Sequence, residues 1–469
     1  MVHPLNDVVV VIPGILGSTL HDADGEVWGL SGGSVSRALR SLGGSLKRLQ
    51  LPEGVGDQHP GDEVTAEALI PDLHLVPGIW THNLGYDRIL EWLRTAFHVV
   101  EPDCDNDDAI PNLLTFPYDW RLSNRYNAER LRDLTEPALE RWRAQGGPCA
   151  TAELVFVCHS MGGLVARWYL TQLGGLEHTR ALITFGTPYR GSINSLDQLI
   201  NGVTKGWGPF KVDLTDMARS CPSIHQLLPE FECLEHNGKL LKTTETTLPD
   251  LSTVMVANAM KFHETMNEGP NLDHLLHPFV GYSQPTALAA RLSGTRLDPI
   301  FSYKGEDSSG DGTVPRFSAA PKHLPLDHPS IRAVAEVHGT LQHNDNIFDQ
   351  LEGILRAPRH EIPRGEEVRS PERPGIGIDY PGEVVQGEKV VLELTGTNER
   401  LTIDIGHETD LNLYEPIEVP RARRRGGRHI QLPDLAPGAH TISIRSDEPQ
   451  PLTPDTPQTV LYVWPKELA

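Results

Sequence analysis

Continuous apolar runs mark buried strands in the N-terminal part of the chain. Residues 8–12 form a β-branched run that stops at a Pro-Gly pair, and further runs lie at 154–157 and 181–185. A strand without polar alternation is typical of a parallel sheet that is covered on both faces. Another run, residues 300–303, predicts a late strand of the same sheet.

Helical patterns lie between these strands, over residues 86–96, 128–145 and 162–172, and residues 346–355 predict the last helix of the same unit. Strands that alternate with helices indicate βαβ units and a right-handed parallel sheet. The pattern therefore predicts an α/β domain over residues 1–358.

The character of the sequence changes after this last helix. Residues 359–374 are rich in Pro, Arg and Glu and predict a linker. Short strand patterns follow, separated by turn residues and with no helical pattern between them, at 390–394, 401–405 and 441–444. Residues 375–469 are therefore predicted to form a small all-β sandwich.

Two stretches of the α/β domain, at about 25–80 and 196–298, interrupt the alternation of strands and helices. Long insertions in a compact domain are usually lids or binding surfaces. We therefore predict a lid insertion in the first stretch and a cap insertion in the second.

Charge restricts the class of partner. The chain carries 41 Lys and Arg against 63 Asp and Glu, a formal net charge of -22 at pH 7. A field of this sign repels nucleic acid and anionic membrane surfaces at long range. We expect no nucleic-acid partner, and any lipid contact must be local, apolar or made through a basic patch.

Cysteine usage and the N-terminus indicate a compartment. The five cysteines are odd in number and no pair has metal-ligand spacing, which favours reduced thiols over a disulfide framework. Residues 1–7 lack the basic and apolar regions of a secretory signal, and no apolar stretch is long enough to span a bilayer. We expect a cytoplasmic protein, at most peripheral at a membrane, with no metal and no cofactor.

A serine lies between a predicted strand and a predicted helix, in Cys158-His159-Ser160-Met161-Gly162. A nucleophilic serine of a hydrolase needs such a sharp strand-to-helix turn with small neighbours. The position two residues before it, usually glycine, is Cys158 here, which we interpret as a small buried filler. The sequence predicts Ser160 as a nucleophile, and the alternative is a serine in an ordinary βα loop.

Several further segments resemble the lecithin:cholesterol acyltransferase family, which includes phospholipid:diacylglycerol acyltransferases and lysosomal phospholipase A2. They lie at residues 11–18, 117–122, 185–188, 191–192, 222–229 and 311–315. The resemblance covers residue 8 to about 355 and leaves out the C-terminal β region. It implies an α/β-hydrolase fold in a bacterial-like, cytoplasmic member with an added C-terminal β domain.

The resemblance also implies two partners for the serine, in the chain order Ser, Asp, His that the fold uses. Asp311, in the Gly-rich 311–315 segment, matches the family's aspartate. His338 matches the terminal histidine when the following helix is aligned. Nearby alternatives for the acid are Glu306 and Asp307, and those for the base are His343 and His328.

The 11–18 segment resembles the family's oxyanion segment, which implies that the backbone N–H groups of Leu16 and Met161 bind the oxyanion. An ordinary β-turn after the first strand is the alternative. Trp28 is a candidate for the acyl site or a core residue. The three residues Asp119, Trp120 and Arg121 are substrate-binding candidates or a buried structural network.

A basic amphipathic segment at 34–51 is a candidate membrane contact. Its apolar residues share one helical face, it contains no acid, and its basic residues are Arg37, Arg40, Lys47 and Arg48. Interfacial helices have this composition. The alternative is an ordinary helix packed on the domain with its basic side chains in water.

Together these features predict a serine esterase that acts on acyl esters of lipids through an acyl-enzyme on Ser160. Phospholipase, lipase and O-acyltransferase activities share this triad, so the motifs do not choose between them. Two alternatives stay open: an esterase or thioesterase on a non-lipid ester, and a non-catalytic binding protein on a hydrolase scaffold. A protein partner of the β domain stays open as well.

Overall fold

The computed structural model describes residues 2–29, 48–71, 85–102, 109–205, 212–305, 309–357, 375–407, 413–422, 427–448 and 456–466. The predicted linker, 359–374, lies outside these residues, as does most of the 34–51 segment. Among the described helices, none has the length and apolar character that crossing a bilayer requires.

The centre of the molecule is a parallel sheet. Its six strands lie in the spatial order Arg332–Val334, Leu276–Gly281, Thr179–Phe185, Leu154–His159, Val8–Ile12 and Leu113–Thr115. Every residue of the four inner strands is buried. The predicted α/β fold is therefore confirmed, and the strand that precedes Ser160 lies in the middle of the sheet.

One predicted strand was wrong. Residues 301–303 are not in a strand, and Arg296–Ile300 belongs to a separate sheet with Lys239–Leu241, Leu234–His236 and Ala289–Ser293. The central strand before Asp311 is instead Leu276–Gly281. Its His277 and Pro278 interrupt the apolar run, so the pattern did not indicate a buried strand. Because the predicted 196–298 insertion contains this central strand, that insertion was drawn too wide.

Helices cover the sheet at positions close to the predicted ones. The serine helix, Gly162–Gln172, has the predicted bounds, and the last helix of the domain is Asp345–Arg356. The other α-helices described are Asp87–Ala96, Asn124–Arg143, Ile193–Asn201, Thr215–Ser220, Pro222–His225 and Thr253–Asn267. Short 3₁₀ helices lie at Gly147–Thr151, Gly175–His178, Arg316–Ser318 and His338–His343.

Smaller sheets lie beside the central one. The first predicted insertion contributes to a three-stranded sheet of Ser18–Asp22, Gly25–Trp28 and Thr65–Leu69. Two-stranded pairs are His3–Pro4 with Phe97–His98, and Thr204–Lys205 with Val212–Asp213.

The C-terminal strands form two sheets that face each other. One contains Gly377–Asp379, Val391–Thr395 and Arg428–Gln431, and the other Glu383–Val385, Gln458–Trp464, Gly438–Ser446, Leu401–His407 and Ile417–Val419. Buried side chains of both sheets, among them Leu392, Ile403 and Ile442, share one apolar core. This is a β-sandwich, as predicted, and the boundaries at 358 and 375 stay predictions.

Candidate functional site

Ser160 lies on a sharp turn between the end of the strand at His159 and the start of the serine helix at Gly162. Its φ angle is 50°, in the left-handed region that side chains rarely adopt. Hydrogen bonds hold this conformation: the Ser160 N–H donates to the carbonyl oxygen of Phe185 (2.8 Å), and the Thr187 hydroxyl donates to the Ser160 carbonyl (2.8 Å). The turn therefore stores backbone strain that its neighbours maintain.

The neighbours of this turn have to be small. A Cβ added at Gly162 would overlap the carbonyl oxygen of Pro13, and one at Gly163 would overlap the hydroxyl of Thr187. Cys158 is fully buried, and burial raises the pKa of its thiol well above the usual value. Because the thiolate is the nucleophilic form of cysteine, this position fits a filler rather than a second nucleophile.

The structure brings Ser160, His338 and Asp311 into one hydrogen-bonded chain. The Ser160 Oγ is 2.9 Å from the His338 Nε2, and the His338 Nδ1 is 2.8 Å from the Asp311 Oδ2. The exposed fractions of these residues are 6% for Ser160, 6% for His338 and 1% for Asp311. This is the geometry of a nucleophile, a base and an orienting carboxylate.

Local contacts fix the acid and the base. The Asp311 Oδ1 accepts hydrogen bonds from the N–H groups of Thr313 (2.9 Å) and Val314 (2.7 Å), and the His338 N–H donates to the Asp311 carbonyl (2.8 Å). Gly186, at a φ of 57°, leaves room for both side chains, because a Cβ there would lie 2.8 Å from the Asp311 Oδ2 and 2.9 Å from the His338 Nδ1.

The alternatives for the base and the acid have other positions. The His343 ring lies 3.0 Å from the carbonyl oxygen of Gly85, and the His328 ring contacts the Ser330 hydroxyl. Glu306 and Asp307 lie outside the described residues. Of the three histidines considered, His338 is the one that contacts Ser160.

The predicted oxyanion segment lies against the serine. A Cβ added at Gly14 would lie 2.9 Å from the Cβ of Ser160. Leu16 has a φ of 63°, and the Trp28 Nε1 donates to its carbonyl oxygen (3.0 Å). Within the described part of the chain, the backbone N–H groups of Leu16 and Met161 make no hydrogen bond. Two donors are thus available near the serine.

A buried network that the sequence did not predict joins this segment to the histidine. The Gly14 N–H donates to the Tyr86 Oη (2.8 Å), which is 3.0 Å from the His159 Nδ1, while the His159 Nε2 is 2.9 Å from the His338 carbonyl oxygen. Since a carbonyl only accepts, Nε2 carries the hydrogen and Nδ1 accepts from the tyrosine. Burial lowers the pKa of His159 to about 3, so this ring is neutral.

The substrate-binding candidates near the 117–122 segment are buried. Arg121 is 0% exposed, and its guanidinium forms ion pairs with Asp119 (2.6 Å) and Asp62 (2.9 Å). Trp120 packs edge-on against Trp28 with ring centroids 5.2 Å apart. These contacts favour the structural alternative, in which Asp119 and Arg121 form a buried network and Trp28 braces the Leu16 turn.

Of the membrane-contact candidates, Arg37, Arg40 and Lys47 lie outside the described residues. Arg48 pairs with Asp22 (2.8 Å) and Asp24 (2.9 Å), and Leu49 beside it is fully buried. At this end the segment packs on the protein, and its one described basic side chain is already neutralised by two carboxylates.

A cavity of about 590 Å³ opens between residues 50–56 and the helices Thr215–Ser220, Pro222–His225 and Thr253–Asn267. Apolar side chains such as Leu51, Val55 and Met255 line it, and neither Ser160 nor His338 does. It therefore offers no acyl pocket for the serine. Among the described residues, no group of three His, Cys, Asp or Glu side chains could hold a metal ion.

Two solved structures are similar to this chain at low identity. The Tle4–Tli4 complex is 14% identical, with a TM-score of 0.49 over 76% of this chain and 99% of that chain. The propeptide form of Bacillus licheniformis lipase BlEst2 is 12% identical, with a TM-score of 0.36 over 97% of this chain and 74% of that chain. Likenesses this distant do not indicate an activity. No curated protein matches the chain.

The family model described as lecithin:cholesterol acyltransferase matches residues 107–286. This range includes Ser160 and the motifs at 117–122 and 222–229, and it excludes Leu16, Asp311 and His338. The match confirms the resemblance seen in the sequence. Residues 107–286 of this chain, which has an α/β-hydrolase fold, are therefore similar to the lecithin:cholesterol acyltransferase family.

Proposed function

We propose that this protein is a lipid esterase or O-acyltransferase that works through an acyl-enzyme on Ser160. The observation that carries the proposal is the hydrogen-bonded chain from the Ser160 Oγ through the His338 ring to the Asp311 carboxylate. The family match adds the substrate class, since the family's name describes acyl transfer from a phospholipid to a sterol.

The first half of the reaction uses all three side chains. The His338 Nε2 takes the proton of Ser160 as the Oγ attacks the ester carbonyl carbon. Asp311 holds the Nδ1–H tautomer and stabilises the imidazolium that forms. His338 then gives the proton to the departing alcohol, which leaves the acyl group as an ester on Ser160.

The second half of the reaction removes the acyl group and regenerates the free Ser160 hydroxyl. Water or an acceptor alcohol loses its proton to the His338 Nε2 and attacks the acyl-enzyme, and Ser160 leaves with the proton restored. Water gives a phospholipase or lipase, and an alcohol gives a transferase. The residues described here serve both outcomes.

The oxyanion of both steps would bind the N–H groups of Leu16 and Met161. Two observations support this: both groups lack an acceptor among the described residues, and Gly14, two residues before Leu16, lies against Ser160. Each such donor is worth about 10²–10³ in rate. Trp28 would act indirectly, because its indole N–H holds the Leu16 carbonyl (3.0 Å).

A fluorophosphonate probe tests the nucleophile without a known substrate. We expect the wild type and Cys158→Ala to be labelled and Ser160→Ala to remain unlabelled, since the probe reports a serine activated by its base. The cysteine variant is a matched control in the same turn. An unlabelled wild type, or equal labelling of Ser160→Ala, would refute the proposed chemistry.

A lipid extract tests the substrate class. The protein is incubated with mixed phospholipids and acylglycerols, with and without a long-chain alcohol, and the products are identified by mass spectrometry. Free fatty acid indicates hydrolysis, and a new ester of the added alcohol indicates transfer. Turnover of short water-soluble esters with no lipid product would favour the non-lipid esterase.

A further inference from the structure

Hydrogen bonds link the C-terminal sandwich to the two loops that carry the proposed acid and base, to one directly and to the other through Gln284. We name residues 309–316 the aspartate loop and residues 336–344 the histidine loop. The first strand of the sandwich, Gly377–Asp379, is hydrogen-bonded to Gln284, which pairs with the aspartate loop, and its strand Gln458–Trp464 begins at the histidine loop. Strands at opposite ends of the sandwich sequence thus meet the same site.

Gln284 connects the sandwich to the aspartate loop. Its side-chain Nε2 donates to the carbonyl oxygen of Ile376 (3.0 Å), and its Oε1 accepts from the N–H of Ile378 (3.0 Å). Its backbone N–H donates to the carbonyl oxygen of Gly310 (3.0 Å), the residue before Asp311. One buried glutamine therefore pairs with a sandwich strand and with the loop of the acid.

Glu336 connects the sandwich to the histidine loop. Its Oε1 accepts from the N–H of Gln458 in the sandwich (3.0 Å) and from the Thr340 hydroxyl (2.9 Å), and its Oε2 accepts from the Asn344 side-chain amide (3.0 Å). The side chain is buried and lies two residues before His338. The carboxylate therefore joins both ends of the histidine loop to the sandwich.

The backbones at this junction approach closely. A Cβ added at Gly375 would overlap the Ser283 hydroxyl and lie 2.8 Å from the Cβ of Ala335, and one at Gly377 would lie 2.5 Å from the Ser283 carbonyl oxygen. Ser283 itself has a φ of 68°. Such strain persists only where the surroundings hold it.

We propose that the C-terminal sandwich is a brace that positions Asp311 and His338, with Gln284 and Glu336 as its positioning residues. The reason is geometric. Both loops consist of turns and a short 3₁₀ helix, and a displacement of about 1 Å between reacting groups can lower a rate about 10²-fold. The catalytic part of this inference rests on the proposed function, and the physical coupling does not.

Two variants of the full chain each remove hydrogen bonds of the brace, and both keep the bond from the Thr340 hydroxyl to the carbonyl oxygen of residue 458 (3.2 Å). Gln284→Met keeps the length of the side chain and deletes both bonds to residues 376 and 378. Gln458→Pro deletes the N–H group that donates to the Glu336 carboxylate. Residue 458 is the first of its strand, a position where proline is tolerated. Ile442→Val is the matched control, because it weakens the core of the sandwich without touching the junction.

Two readouts separate the brace from the chemistry. We expect fluorophosphonate labelling to slow at least about tenfold in both brace variants and to stay near wild type in Ile442→Val. On a water-soluble ester, kcat should fall with little change in KM. Hydrogen–deuterium exchange of 309–316 and 336–344 should accelerate in both brace variants while thermal unfolding stays cooperative.

Each outcome decides one claim. Wild-type labelling rates and unchanged exchange of both loops in the two brace variants would overturn the brace. Equal slowing in Ile442→Val would overturn it as well, since general destabilisation would then explain the loss. An unlabelled wild type with accelerated loop exchange in the brace variants would overturn the proposed function and support the coupling.

Discussion

At the residue scale, two buried side chains outside the Ser160–His338–Asp311 chain support the candidate site. Tyr86 and His159 connect the Gly14 N–H to the His338 carbonyl through hydrogen bonds of 2.8, 3.0 and 2.9 Å. The predicted oxyanion segment and the proposed base therefore share one buried support. A substitution of Tyr86 or His159 should therefore disturb both the Gly14 segment and His338.

Tyr86→Phe tests this support. It removes the acceptor of the Gly14 N–H and the donor to the His159 Nδ1, and leaving buried polar groups unpaired costs about 1–3 kcal/mol. We expect lower stability and slower acylation, measured by urea unfolding and fluorophosphonate labelling. Tyr169→Phe is the control, since its hydroxyl contacts Glu136 (3.2 Å); it should leave labelling unchanged. Equal labelling of the two variants would contradict the prediction.

Glu336 should give the protein a pH-dependent stability. Burial raises the pKa of this carboxyl to about 7 from the ordinary 4.5, despite the hydrogen bonds it accepts. Between these values the folded state holds a proton that the unfolded state releases. The contribution of Glu336 to the free energy of unfolding therefore falls as pH rises through this window and stays low above it.

Glu336→Gln should remove this slope. Urea unfolding at about pH 5 and pH 8 gives the fall in stability between the two values, and the variant should lose up to about 3 kcal/mol of that fall. Glu53→Gln, at an exposed side chain, controls for the loss of a carboxylate. An equal loss of stability between the two pH values in wild type and Glu336→Gln would contradict the attribution of the pH dependence to Glu336.

At the element scale, a glycine at the end of a central strand makes room for the candidate site. Gly186 follows the strand Thr179–Phe185, and a Cβ added there would lie within 2.9 Å of the Asp311, Leu341 and His338 side chains. A methyl group there would push directly on the pair. The absence of a side chain at Gly186 is therefore a requirement of the candidate site.

Gly186→Ala should abolish labelling of Ser160, with a loss of about 10² or more. Gly174→Ala is the matched control. It also has a positive φ, 83°, but a Cβ added there meets nothing within 4 Å, so only the backbone strain of about 1–2 kcal/mol remains. If general destabilisation were the cause, the labelling rates of the two variants would instead fall in proportion to their losses of stability, which would contradict the prediction.

Elements with a local signal were predictable from the sequence. The apolar runs at 8–12 and 154–157 and the serine helix are in place, because their burial is visible in consecutive residues. The strand Leu276–Gly281 was missed, since His277 and Pro278 interrupt its pattern. The serine turn was predictable because its neighbours must be small.

The supporting contacts of the site had no such signal. Tyr86 and His159 are 73 positions apart, and His159 and His338 are 179 apart, so no local pattern relates them. Gln284 and Glu336 each resemble an ordinary polar loop residue in the sequence. The pairing of His338 with Ser160 came from the family resemblance rather than from spacing. Long-range packing alone selects these partners.

At the scale of the whole molecule, charge should govern the approach to lipid. With a net charge of -22, we expect a smaller bound fraction on anionic than on zwitterionic vesicles at about 10 mM salt, where the Debye length is about 30 Å. The difference should vanish near 1 M salt, and vesicle co-sedimentation measures both. Stronger binding to anionic vesicles at low salt would contradict this and would indicate that Arg37, Arg40 and Lys47 dominate.

The order of the brace along the chain has a consequence for synthesis. The contacts at 376–378 and at Gln458 form from segments that leave the ribosome after Ser160, Asp311 and His338. A nascent chain that already has its central sheet would still lack the proposed support of the aspartate and histidine loops. We therefore expect acyl chemistry to stay slow in a nascent chain until translation has passed the last strand of the sandwich.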